Sequence, residues 1–177
     1  MPTVWSVGHG TRPIGELLTV LNDAGIKVLA DVRSVPGSRR HPQFGRSALS
    51  SSLAEADIEY VHLRGLGGRR DALPDSPHVA LKVDAFRGYA DHMATDEFAS
   101  AYARLNELAR QQPTAFMCAE THWSKCHRRM LSDRLTVDGW SVVQLLAPGK
   151  SELHQLWDLA RVTDGRLIYD GGAIPLR

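Results

Sequence analysis

The sequence predicts an α/β fold, a three-layer domain in which helices flank a mainly parallel sheet of about five strands. Two observations carry this prediction. Short apolar runs rich in valine alternate with longer stretches whose leucines and alanines recur at helical spacing, the pattern of strands joined by crossover helices. Four of the apolar runs also turn abruptly polar where they end. Val4–Val7 leads into Gly8-His9-Gly10, Val28–Ala30 into Asp31-Val32-Arg33, Tyr60-Val61 into His62 and the stretch 65–70, and Ala115–Met117 into Cys118-Ala119-Glu120. Right-handed crossovers place such endings along one edge of a parallel sheet, where open α/β folds bind ligands.

The elements follow in order. Val4–Val7 reads as the first strand. Residues 14–24 read as a helix through Leu17, Leu18 and Leu21, with Gly25 ending it. A buried strand over 28–32 is followed by a loop over 34–45 that holds Pro36, Gly37 and Pro42. Leu49, Leu53 and Ala56 share one face of a helix over 47–56, and a short strand spans 59–62. The segment 64–82 reads as a long loop, of the kind that often carries function. Helices over 85–93 and 96–110 come next; Pro113 then breaks the chain. A strand over 114–118, a helix over 126–137 and a strand over 141–146 complete the alternation. Residues 1–177 are expected to form one domain, with an irregular extension from about residue 147 and an edge strand near 166–169.

Net charge is +1, so the molecule as a whole is no polycation. Its basic residues are unevenly placed, and arginine outnumbers lysine 17 to 4. Arg33, Arg39, Arg40 and Arg46 form one group, Arg64, Arg69 and Arg70 a second, and Lys125, Arg128, Arg129 and Arg134 a third. Arginine's planar fork suits bidentate binding of carboxylate or phosphate. No apolar stretch approaches the roughly 20 residues that span a bilayer, and no basic-then-apolar leader opens the chain. The expectation is a cytoplasmic protein with no membrane partner. Two cysteines do not make a disulfide framework.

Alternation along a strand puts Asp31 and Arg33 on one side and Val32 on the other. The pair reads either as a buried ion pair or as a catalytic carboxylate held by its arginine. Cys118, Glu120, His122, Cys126, His127 and Arg128 form the densest constellation. Its spacing departs from structural zinc sites, so no metal is expected. Cys126 stands where a helix should start, a position that lowers thiol pKa, yet it also falls on an apolar stripe. Cys118 and Cys126 are therefore either candidate reactive thiols or inert core residues. Glu120 follows a strand directly and suits acid–base work. His9, between two glycines, faces the same edge. Phe44 and Trp123 can stack a ring or base. Gly67 and Gly68 belong to a run without Walker or dinucleotide spacing, so no nucleotide cofactor is implied.

Gly8-His9-Gly10, Asp31-Val32-Arg33 with Pro36 and Ser38, Phe44, Gly65–Gly68, Phe86-Arg87-Gly88-Tyr89-Ala90, and Met117-Cys118-Ala119-Glu120 with Cys126-His127-Arg128 resemble the family known as domain of unknown function 488. The resemblance runs from the first strand to about Leu146. It departs at His122, where relatives often carry proline, and at Gln144, where many carry histidine. Some relatives are associated with excision of modified pyrimidines such as 5-hydroxymethyluracil from DNA. The resemblance thus implies a DNA glycosylase with DNA as partner and no cofactor. Asp31 and Glu120 would be its catalytic carboxylates, and His9 and His127 would position water or base. Arg33, Arg39, Arg40, Arg69 and Arg128 would hold phosphates, beside Phe44, Gly67, Gly68 and Trp123 at the substrate. Two other functions fit the residues: a thiol-dependent enzyme acting on a small molecule through Cys118 or Cys126, and a non-catalytic nucleic-acid or nucleotide-binding module.

Overall fold

A computed structural model describes residues 1–171. Strands β1 (Thr3–Gly8), β2 (Val28–Asp31), β3 (Glu59–His62), β4 (Thr114–Cys118), β5 (Ser141–Ala147) and β6 (Lys150–Leu153) form a six-stranded sheet in the order β3-β2-β4-β1-β5-β6. The first five strands are parallel; β6 turns back antiparallel on β5. The helices are α1 (Ile14–Asp23), α2 (Arg46–Glu55), α3 (Asp84–His92), α4 (Asp96–Gln111) and α5 (Arg128–Val137). Among the described residues no helix is long and apolar enough to cross a membrane.

Two apolar clusters fill the two faces of the sheet. Val7, Leu29, Ala115 and Met117 pack with Leu17 and Leu21 of α1 and Leu49 and Leu53 of α2. Val4, Ala30, Val32, Phe116, Cys118 and Val142 face the other way, against Tyr89, Phe98, Leu105, Met130, Leu131 and Leu135 of α3, α4 and α5. This inside-on-both-faces arrangement explains why the central strands read as unbroken apolar runs. Local chemistry sets the helix ends. Gly25 takes a φ of +72° just beyond α1, and the Thr95 hydroxyl accepts from Phe98 N at 3.2 Å to cap α4.

The structure corrects the sequence reading near the C-terminus. Residues 161–169 add no edge strand to the sheet. They form a separate antiparallel ribbon of β7 (Arg161–Thr163) and β8 (Arg166–Ile168). Tyr169 is drawn into the core because its hydroxyl donates to the buried Asp133 Oδ2 at 2.7 Å. Asp133 also accepts from His154 Nε2 at 2.7 Å, and Gln144 Nε2 donates to Ser132 Oγ at 2.9 Å. Helix α5 begins two residues later than expected, at Arg128, behind a short 3-10 turn over Trp123–Lys125.

Candidate functional site

A cleft of about 720 Å³ opens along the carboxyl ends of the parallel strands. Its walls include His9 and Gly10 after β1, Arg33 to Val35 after β2, Gly68 and Arg69 after β3, and Cys118 to Thr121 after β4. Cys126 and His127 ahead of α5 complete it, with Arg40, His41, Phe86 and Lys125 at its rim. Close packing of backbone makes this convergence possible. A Cβ on Gly8 would fall 1.8 Å from the Glu120 carbonyl oxygen, and one on Gly67 would fall 2.3 Å from Ser34 Oγ. A neighbouring depression of about 930 Å³ shares Arg69 and Ala85 with the cleft and is lined by both arginines and aspartates, among them Arg70, Asp71, Asp84 and Arg87.

Asp31 is wholly buried beneath the cleft rather than lining it. Arg33 grips it bidentately, Nε to Oδ1 at 2.9 Å and Nη2 to Oδ2 at 2.7 Å. The Arg33 amide donates to Oδ1 at 3.1 Å, and the Tyr60 hydroxyl to Oδ2 at 2.6 Å. Four donors saturate both carboxylate oxygens, the arrangement of a structural ion pair that orients Arg33. Tyr60 was not legible as a member of this site: it lies on β3, and only the pairing of β3 beside β2 brings its hydroxyl over Asp31.

His9 donates from Nδ1 to the Gly10 carbonyl at 2.9 Å, which leaves Nε2 as an acceptor facing Arg33 Nη1 at 3.4 Å. Its ring stacks on Phe44 at 4.3 Å. Burial lowers its pKa to about 4, with the Arg33 charge adding to the effect against the Gly10 hydrogen bond. His127 donates from Nε2 to the Val32 carbonyl at 3.0 Å and tilts against Tyr89 at 4.9 Å. Burial brings its pKa to about 4 as well, helped by Arg128 and opposed by the Val32 bond. Both imidazoles are neutral at physiological pH. His127 Nδ1 lies against Gly68, another residue of the cleft wall.

The floor of the cleft is a cluster of two sulfurs and a guanidinium. Cys118 Sγ and Cys126 Sγ are 2.9 Å apart, with no disulfide between them. Arg128 Nε donates to Cys118 Sγ at 2.9 Å and to Cys126 Sγ at 3.3 Å, and the Arg128 amide reaches Cys126 Sγ at 3.3 Å. The remaining guanidinium donors go to Ser6 Oγ at 3.0 Å and to the Glu120 carbonyl at 2.8 Å. Arg128 is 1% exposed, and these partners include no carboxylate. A buried cation needs an anion beside it; here the sulfurs are the groups that can supply one. Burial pushes both thiols up, but for Cys126 the hydrogen bond from Cys118 and the charge and donors of Arg128 win, bringing it to about 6. Cys118 stays well above the ordinary thiol range, because burial and its role as donor to Cys126 outweigh Arg128. The pair therefore shares one proton beside Arg128. Ser6 is the other residue that sequence reasoning missed; a lone hydroxyl inside the apolar run of β1 was the available signal.

Several of the expected site residues lie apart from the cleft walls. Arg128 is not placed to bind phosphate, because its donors are already engaged inside the protein. Phe44 is fully buried beneath His9, so it offers no face to a base. Trp123 lies outside the cleft walls, with its Nε1 donating to Glu152 at 2.7 Å and its ring edge-on to His154. Arg39 and Gly67 also lie outside the walls. His9, Arg33, Arg40, Gly68, Arg69, Cys118, Glu120, Cys126 and His127 are brought together. Among the described residues no three His, Cys, Asp or Glu side chains are grouped to hold a metal ion.

A family model described as domain of unknown function DUF488 matches residues 13–135. The chain belongs to the DUF488 family. The DUF488 match takes in β2, β3, β4 and most of α5, and with them Asp31, Glu120 and the two cysteines. His9 lies before it, just past the end of β1 that pairs with β4. No curated protein and no solved structure matches this DUF488 chain.

Proposed function

We propose that the cleft is the active site of a DNA glycosylase that removes a modified pyrimidine of the 5-hydroxymethyluracil type by cleaving its N-glycosidic bond. One observation carries the reading. Glu120 is the sole carboxylate among the cleft walls, it is exposed, and the exposed Arg40, Arg69 and Lys125 line the same cleft. Such a cationic rim suits a phosphodiester backbone. Glu120 directs water at the sugar carbon or stabilises the cation that develops there. Neutral His127 offers Nδ1 to take a proton from that water. Asp31, saturated by four donors, holds Arg33 in place. Phe86 is the aromatic in the cleft wall that can meet an extruded base.

The test is release of free base from duplexes carrying different modified pyrimidines. Wild-type protein releases one of them, and Glu120→Gln binds the same duplex with unchanged affinity while turnover falls by on the order of a hundredfold or more. Folded wild-type protein that releases no base from any duplex ends the reading. If it still binds DNA, the protein is a binding module.

The Cys118–Cys126–Arg128 cluster favours a second reading, a thiol-dependent enzyme acting on a small electrophile. Its turnover would rise with a midpoint near the Cys126 pKa of about 6 and vanish in Cys126→Ser.

A further inference from the structure

We infer that Cys126 and Cys118 form a hydroperoxide-reactive dithiol site, in which Cys126 is the sulfur attacked and Cys118 the one that resolves it into a disulfide. The inference is independent of the glycosylase reading and rests on the thiol reading, whose electrophile it names.

Three observations meet at this site. Arg128 is a buried cation whose possible anionic partners are the two sulfurs, so one of them is held as a thiolate. The division of the proton follows from placement. Both sulfurs are buried; Cys126 receives two donors of Arg128, the amide and Nε, each at 3.3 Å, whereas Cys118 receives Nε alone, at 2.9 Å. Cys118 and Cys126 both line the cleft while only 2% and 6% exposed, so the site suits an oxidant as small as hydrogen peroxide. A thiolate with access and a neighbouring thiol is the arrangement that oxidises reversibly. The separation of 2.9 Å leaves under 1 Å of approach to the S–S bond length of about 2.04 Å.

The steps balance as follows. The Cys126 thiolate attacks one oxygen of the hydroperoxide, the O–O bond breaks, and the leaving oxygen takes a proton from solvent as water or alcohol. Sulfur is oxidised by two electrons to the sulfenic acid as the peroxide is reduced. The Cys118 sulfur then attacks Cys126 Sγ, the S–OH bond breaks, and hydroxide leaves as water with the Cys118 proton. The disulfide is neutral, so Arg128 loses its anionic partner and the cleft floor becomes more positive.

The experiment treats the reduced wild-type protein with a stoichiometric amount of hydrogen peroxide and measures its intact mass. The expected result is loss of two hydrogens, reversed by a dithiol reductant. Trypsin cleaves after Lys125 and leaves the two cysteines on separate peptides, which stay joined only if the disulfide has formed. Cys118→Ser should instead accumulate a sulfenic acid on Cys126 that a dione reagent traps, and Cys126→Ser should react on the order of tenfold more slowly. Peptides that separate after oxidation of the wild type overturn the inference, whatever the variants do. So does a Cys126→Ser protein that is oxidised at Cys118 as fast as the wild type.

Discussion

Arg128 Nε lies 2.9 Å from Cys118 Sγ and 3.3 Å from Cys126 Sγ, an ion pair in which sulfur takes the place usually held by a carboxylate. Its formation depends on two turns of chain. One ends β4 at Cys118; the other, over Trp123–Lys125, delivers Cys126 to the start of α5. Replacing Arg128 by methionine leaves the sulfurs without a counter-charge. The Cys126 thiol should then return toward or above the ordinary thiol range near pH 8.5. Alkylation at pH 7 should slow at least tenfold, and unfolding free energy should drop by about 3–5 kcal/mol, as for other broken buried pairs. Iodoacetamide kinetics against pH and urea unfolding check both.

Stability should rise with pH across the acid-to-neutral range, and the sign is the same for three groups. Cys126 has a folded pKa of about 6, below the unfolded value near 8.5. Its contribution is complete above about pH 8.5 and is lost as pH falls through 6. His9 and His127 have folded pKa values of about 4 against about 6.5 unfolded. Between these values the unfolded chain binds more protons, so each histidine weakens the fold as pH drops from 6.5 to 4, by on the order of 3 kcal/mol at the most. Melting temperatures should climb from about pH 4 to about pH 8, and His9→Asn should flatten the profile below about pH 6.5.

The two candidate carboxylates should separate cleanly. Asp31→Asn strands a buried Arg33 and should destabilise the protein by about 3 kcal/mol or more. Glu120→Gln changes an exposed side chain and should stay within about 0.5 kcal/mol of wild type. Equal thermal shifts for the two variants would contradict these assignments.

Tyr60→Phe removes one hydroxyl from a charged acceptor. Its cost should be about 1.5–3 kcal/mol, with the cleft otherwise intact. Equilibrium unfolding of the single variant suffices to measure it.

Gly8→Ala is expected to be far more damaging than its size suggests. The added methyl would meet the Glu120 carbonyl at 1.8 Å and Arg128 Nη2 at 2.7 Å. Either β1 moves away from β4 or residue 120 swings out of the cleft, and both should lower the melting temperature and raise Cys126 exposure to alkylation. Gly15→Ala, with nothing within 4 Å, is the neutral control.

Much of this protein was determined by its sequence alone. Apolar runs at strand length and leucines at helical spacing specify β1 to β5 and α1 to α5, because period and burial are local properties of the chain. Parallel connection then brings the residues after β1, β2, β3 and β4 to one rim, so the gathering of His9, Arg33, Gly68, Glu120 and Cys126 was legible as well. Tertiary structure alone decided which of those groups remain available to a ligand. Asp31 and Arg128 carry charges that look equally suited to chemistry in the sequence. One is saturated by Arg33 and by Tyr60 from a neighbouring strand, the other by two sulfurs and a Ser6 more than a hundred residues away. Hydrogen-bond partners are chosen by strand order and side-chain reach, and neither is written in the spacing of a motif.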